Sequence, residues 1–418
     1  MNAVLILCLV LILAKLLTQL WLERLNRRQV LAHAKELPEA FKAMLDEATY
    51  AKSVRYTLAN GRLRQIELVY DAVVLAAVLF SGVLPWALHW FRDTLGGAAW
   101  SMAALLFATG LGLSLSGLPL EWYDQFRLEE RFGFNTTTQK LWWQDRLKGL
   151  GLALGLGYPL LWLVLKLVEW MGPAWWLWAW GALLAFQLLV ALLAPVLILP
   201  LFNRFTPLPE GSLRERLLAL AERTRFRTRS IQVMDGSKRS RHSNAFFTGF
   251  GRFRKIVLFD TLIQQLAEPE LEAVLAHEIG HFKKRHIPKT LAVAALGSLA
   301  GFYVVSVLSR QESFYRAFGF EPEGLAPALL LFGLLSGVAT FWLSPLAHWW
   351  SRRHEYQADA FAAHVMRQPG PLVGALRKLN EKNLSNLTPH PLYSGFYYSH
   401  PTLLERERAL GGRIWIES

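Results

Sequence analysis

Ala174-Trp-Trp-Leu-Trp-Ala-Trp-Gly-Ala-Leu-Leu-Ala-Phe-Gln-Leu-Leu-Val-Ala-Leu-Leu-Ala-Pro-Val-Leu-Ile-Leu-Pro-Leu201 runs for 28 residues without a charge. A helix needs only about 20 apolar residues to cross the hydrocarbon of a bilayer, so this stretch reads as a membrane span. Six more apolar stretches approach or exceed that length, near 3–21, 68–90, 98–120, 149–170, 290–309 and 325–348. The fold class is therefore mostly α and polytopic. Composition agrees: 53% of the 418 residues are hydrophobic and 18% charged, against about 25% charged in ordinary soluble domains. The 17 Trp and 25 Phe suit bilayer interfaces as well as cores. A disordered chain is excluded. Cys8 is the single cysteine, so an intrachain disulfide and a Cys-rich metal site are excluded too.

The net charge of +13 invites a nucleic-acid reading. In a membrane chain the better account is Lys and Arg gathered in cytoplasmic loops, and no nucleic-acid partner is expected. The first apolar stretch has no basic residue before it and many after it, from Arg24 to Arg64, so it reads as a retained span rather than a cleaved signal. Its N-terminus is then outside. Alternation places the charge-poor loops 91–97, 171–173 and 310–324 outside, and the basic segments 121–148, 202–289 and the tail inside. Lys15 and Lys166 fall within spans; either is a site candidate by default, though Lys166 lies near a span end and can snorkel.

This divides the chain into four parts: spans one to five with their loops (1–201), a polar segment (202–289), spans six and seven (290–348), and a polar tail (349–418). The two polar parts are small and flank one membrane hairpin, so they are expected to form a single cytosolic domain. Within the first, 212–225 is an amphipathic helix, while 230–234 and 255–259 read as strands. The intervening 235–249 is turn-rich, then extended. Glu268-Pro269 opens a further helix.

That helix carries His277-Glu278-Ile-Gly280-His281. Residues four apart share a helical face, so both imidazoles can reach one tetrahedral zinc. Glu278, beside the first ligand, is placed to take a proton from the attacking water. The pattern arises by accident in roughly one or two per hundred chains of this make-up, and two solvated histidines are the plain alternative. Gly280 argues against that alternative, since glycine inside a helix costs about 1 kcal/mol and usually marks a close approach. Catalytic zinc needs a third protein ligand and an open position. Glu355-Tyr-Gln-Ala-Asp359 follows span seven and again places two carboxylates on one face. Glu355 is the expected ligand, and Asp359 the expected acceptor of a ligand histidine's spare N–H. Against it stands an acidic pair on a solvated helix beside Arg352 and Arg353. His354 and His364 are rival ligands, although His354 points away if Glu355 points in.

With these motifs the chain resembles the type I CaaX prenyl endopeptidases, integral-membrane zinc metalloproteases of the gluzincin kind. The resemblance extends to Asp235-Gly-Ser-Lys-Arg-Ser-Arg-His-Ser-Asn-Ala-Phe-Phe-Thr-Gly249, Glu129-Glu-Arg-Phe-Gly-Phe-Asn-Thr-Thr-Thr138 and Tyr398-Ser-His-Pro-Thr-Leu-Leu-Glu-Arg406. It implies seven helices around an intramembrane chamber, closed on the cytosolic side by a small α+β zincin-like domain holding one Zn2+. It implies that Asn244 lies on an edge strand that pairs with substrate backbone, and that His400 and Arg406 face the scissile bond or hold substrate. Without it, His400 is a loop histidine before Pro401 and Arg406 a solvated arginine. The implied partners are the bilayer and a peptide or protein substrate, prenylated in the family. Residue usage fits a GC-rich bacterial genome, which places the protein in an inner membrane. Membrane-protein or lipoprotein quality control is then the expected task. A dead scaffold is opposed by the intact Glu278. A transporter with structural zinc is opposed by three ligands, since structural sites use four.

Overall fold

The structure, a computed structural model, describes residues 3–42, 45–228, 230–242, 245–248 and 255–411. Five helical runs among them are long and apolar enough to cross a membrane: Ala3–Ala32, Ala99–Phe132, Gln139–Phe202, His286–Leu308 and Ala326–Met366. A sixth is formed by Glu47–Phe80 with Val83–Leu95, bent by 54°. The stretch at 68–90, expected as one continuous span, is thus broken, because Gly82 takes φ +82° after Ser81 and the helix restarts. The stretches at 149–170 and 174–201 fall within one 64-residue run. Straight, it would reach about 96 Å, some three hydrocarbon thicknesses. Gly172 at φ +51° turns it back, and Tyr158–Met171 packs on Trp175–Leu193.

The intramembrane lysines are both engaged. Lys166 Nζ pairs with Glu169 one turn away at 2.6 Å. Lys15 Nζ donates to the Gly337 carbonyl at 3.2 Å and ties the first helix to Ala326–Thr340.

The polar parts build a four-stranded sheet of order β1-β2-β4-β3, with β1 Phe205–Pro207, β2 Ser230–Met234, β3 Ala245–Thr248 and β4 Lys255–Phe259. β2 and β4 pair in parallel, and the outer strands pair antiparallel to them. Ser230–Met234 and Lys255–Phe259 are the two strands legible in the sequence. β1 is too short, and too burdened by Pro207, to announce itself. β3 is an edge. The helix expected over 212–225 runs Ser212–Arg223. Beneath the sheet lies the motif helix, Glu268–Lys283, whose Leu271, Leu275 and Ile279 are buried. Each contributes about 1.5–3 kcal/mol through burial. The same core takes in Phe41, Tyr50 and Val54 from the segment after the first helix.

The motif helix crosses Ser344–Met366, hereafter the carboxylate helix, at closest approach. A Cβ on Gly280 would lie 3.0 Å from the Ala358 Cα and 3.1 Å from its carbonyl oxygen. Both obstacles are backbone and cannot rotate away. Gly280→Ala should therefore push the helices apart. Overpacking of this kind costs typically 1–3 kcal/mol, more than the roughly 1 kcal/mol of helix propensity it gains. Unfolding in detergent should show a net loss of stability, together with weaker metal retention.

Candidate active site

The crossing sets the geometry. His277 and His281 project from the motif helix toward Glu355 of the carboxylate helix, and one ligand atom from each lies within 4.8 Å of the others. The Nε2 atoms of His277 and His281 are 3.1 Å apart. Glu355 places Oε2 at 3.4 Å from His277 Nε2 and Oε1 at 3.3 Å from His281 Nε2.

These residues fit a metal ion. Two ligands at 2.0–2.1 Å from one tetrahedral zinc are themselves about 3.3 Å apart, close to the spacing here. The Nδ1 of His277 is occupied by Asp359 at 2.8 Å, which leaves the Nε2 lone pair directed at His281. Glu355 Oε2 is buried and makes no hydrogen bond among the described residues. A buried carboxylate oxygen without a partner costs free energy that a cation at this point would recover. Burial disfavours charge on His277, yet its contact with Asp359 and the neighbouring Glu355 carboxylate raise its pKa to about 9. Positive charge is what this pocket stabilises.

Asp359 is buried and held from its far side. Arg406 donates from Nε to Asp359 Oδ2 at 2.8 Å and from Nη2 to Oδ1. The same Nη2 lies 3.4 Å from His277 Nδ1. Arg406, which the resemblance sets against the scissile bond or the substrate and the local sequence reads as solvated, is buried behind His277 while also bordering a cavity of about 470 Å3. Asp359→Ala should lower metal affinity or activity by about 10–100-fold, as loss of an orienting partner typically does. Zinc competition against a chelating dye measures it.

Glu278 is half-buried, and burial pushes its carboxyl above the usual range, opposed by the charges of His277 and His281. His400 keeps 64% of its side chain exposed, with Nε2 3.6 Å from Glu355 Oε1 and Nδ1 3.0 Å from Ser399 Oγ. It lines the same cavity, which adjoins another of about 380 Å3 through Ser385, Asn386, Tyr397 and Tyr398. Asn244 lies outside the described residues. His354 is not among the three converging donors. Its ring stacks on His286 at 4.0 Å, and its Nε2 accepts from Trp350 Nε1.

Two features were not legible in the sequence. One is His286, whose Nδ1 meets His281 Nδ1 at 3.0 Å. The other is a clamp that joins the 129–138 and 235–249 motifs. Tyr56 Oη donates to Glu129 Oε1 at 2.5 Å, and Glu129 Oε2 lies 3.3 Å from His242 Nε2. Phe134 stacks on the His242 ring, and the hydroxyls of Thr136 and Thr137 donate to the Ser237 and Arg239 carbonyls. Both motifs stood out as resemblances. Nothing local to either says that they touch.

A His-Glu-x-x-His helix crossed by a helix that brings a carboxylate as the third converging group, set beside membrane-length helices, defines a membrane-embedded zinc metalloprotease. Residues 26–204 match the family described as CAAX prenyl protease N-terminal, five membrane helices, and residues 207–414 match peptidase family M48. The chain belongs to peptidase family M48. It is 37% identical over 414 residues to CAAX prenyl protease 1 of Saccharomyces cerevisiae, covering 90% of this chain and 88% of that one. The human CAAX prenyl protease 1 homolog is 31% identical over 436 residues, covering 92% and 90%. The crystal structure of S. mikatae Ste24p superposes with a TM-score of 0.88 at 34% identity, over 96% of this chain and 98% of that one.

Proposed function

We propose that this zinc metalloendopeptidase holds one zinc through His277, His281 and Glu355, and cleaves peptide bonds presented along β3. The observation that carries the ligand set is the buried Glu355 carboxylate, whose Oε2 makes no hydrogen bond among the described residues and whose two oxygens face the Nε2 atoms of His277 and His281, one each. When bound, zinc supplies a Lewis acid that acidifies water and polarises the scissile carbonyl. Glu278 takes the proton of the attacking water and delivers it toward the leaving amine. His400 donates a hydrogen bond to the carbonyl oxygen as negative charge builds there. Asp359 fixes the His277 tautomer, and Arg406 holds Asp359 in turn. β3 is the edge strand of the described sheet, and the substrate backbone would add to it there, with Asn244 as the contact the resemblance implies.

The substrate is a peptide or protein, lipidated or not, drawn from the membrane through the polar cavities beside His400. The relatives are named CAAX prenyl proteases, which makes prenylated peptides one candidate substrate class. In a bacterial inner membrane the task becomes quality control of membrane proteins. Seven spans follow if Gly172 divides the 64-residue run into two, and the basic loops set the active site on the cytoplasmic side. In this division 1–201 and 290–348 are the membrane parts, while 202–289 and 349–418 form the protease domain.

Purified protein incubated with a farnesylated peptide and, separately, with denatured membrane proteins should release fragments that disappear with a zinc chelator. Chelator-insensitive cleavage would overturn the mechanism. His281→Ala should lose most of its metal by elemental analysis while the spans keep the fold. Full occupancy would remove His281 from the ligand set.

A further inference from the structure

We propose that His286 and Gln357 form a neutral hydrogen-bonded relay that orients His281 for the metal, so that the two ligand histidines are held by unlike devices. The proposal rests on the assignment of His281 as a ligand through Nε2. That assignment leaves its Nδ1 protonated and donating to His286 Nδ1 at 3.0 Å. His286 must then carry its own proton on Nε2, which lies 2.9 Å from Gln357 Oε1 and donates to it. Each proton in the chain has one place. The His286 ring is buried and lies flat on His354 at 4.0 Å and 8°, with the Trp350 indole N–H donated to the far ring.

The backbone is bent to make this contact. In a continuous helix, residues five apart diverge by about 140° around the axis, so His286 would face away from His281. Instead the motif helix stops at Lys283, Arg285 takes φ +56°, and a new helix starts at His286. A left-handed conformation at a residue with a side chain costs roughly 1–2 kcal/mol. Such strain marks places where a particular geometry is needed. Here it returns the His286 ring beneath His281.

The consequence is an asymmetric site. His277 is backed by a carboxylate locked to an arginine, whereas His281 is backed by a neutral imidazole and an amide. An anionic partner raises the basicity of a ligand histidine, and a neutral one mainly orients it. The relay should therefore respond in both directions.

The test is zinc affinity of the full-length protein in detergent, by competition with a chelating dye, together with the visible spectrum of the Co2+-substituted protein. His286→Phe keeps the stack and removes the acceptor; it should weaken zinc binding by about 10–100-fold and shift the cobalt bands. Gln357 is exposed on its helix, so its variants leave the core untouched. Gln357→Leu should weaken zinc binding several-fold, and Gln357→Glu, which places a carboxylate at the end of the relay, should tighten it. A parent protein that binds no zinc would fail the ligand assignment itself. A parent that binds, with all three variants matching its affinity and spectrum, would overturn the relay alone. If His286→Phe does not fold, the opposite shifts of the two Gln357 variants decide, and no shift in either rejects the proposal.

Discussion

Glu278→Gln is expected to keep its zinc and lose turnover by at least 10²–10⁴-fold, the range typical for removal of a general base. The amide preserves shape and some hydrogen bonding, but it cannot accept the proton of the attacking water. Glu278 follows His277 on the motif helix and feels the charges of His277, His281, Glu355 and Arg406, the neighbourhood that the proposed role requires. Burial, with a smaller push from the Glu355 carboxylate, raises its carboxyl above the ordinary range against the pull of His277, His281 and Arg406, the direction that suits a group which both takes and returns a proton. The check pairs metal analysis with single-turnover cleavage of a fluorogenic peptide. An active variant, free of parent protein, would refute the mechanism. A metal-free variant would show instead that Glu278 supports the site structurally.

His400→Ala should be slowed by about 10²–10³-fold in kcat with KM nearly unchanged. The carbonyl oxygen of the scissile bond gains most of its charge in the transition state, so a donor aimed there stabilises little in the ground state. The proposed role draws on the position of His400. Its Nε2 lies 3.6 Å from Glu355 Oε1, its side chain opens onto the cavity, and Pro401 stiffens the loop behind it. It is also outside the core, so the variant should stay folded. A raised KM with normal kcat would make His400 a substrate-binding residue. Unchanged kinetics would return it to an ordinary loop position.

Membrane spans, the two central strands and the His-Glu-x-x-His helix were legible because each is written in a local period or length. Twenty apolar residues, an alternation of two, or a spacing of four each specify a face without reference to any other part of the chain. The Glu355–Asp359 pair was legible for the same reason, and these positions name the residues brought together at the site. Partner choice is another matter. Arg406 reaches Asp359 across 47 residues, and His286 reaches Gln357 across 71. A lone arginine or histidine carries no periodic signal saying what it will meet. Gly280 hinted at a close approach, but only the crossing shows that Ala358 is the surface approached. The left-handed Arg285 redirects a helix whose own pattern continues past it. Local sequence thus determined which residues face inward. Tertiary structure decided which inward faces meet, because those contacts depend on the angles between helices, and no single segment encodes an angle.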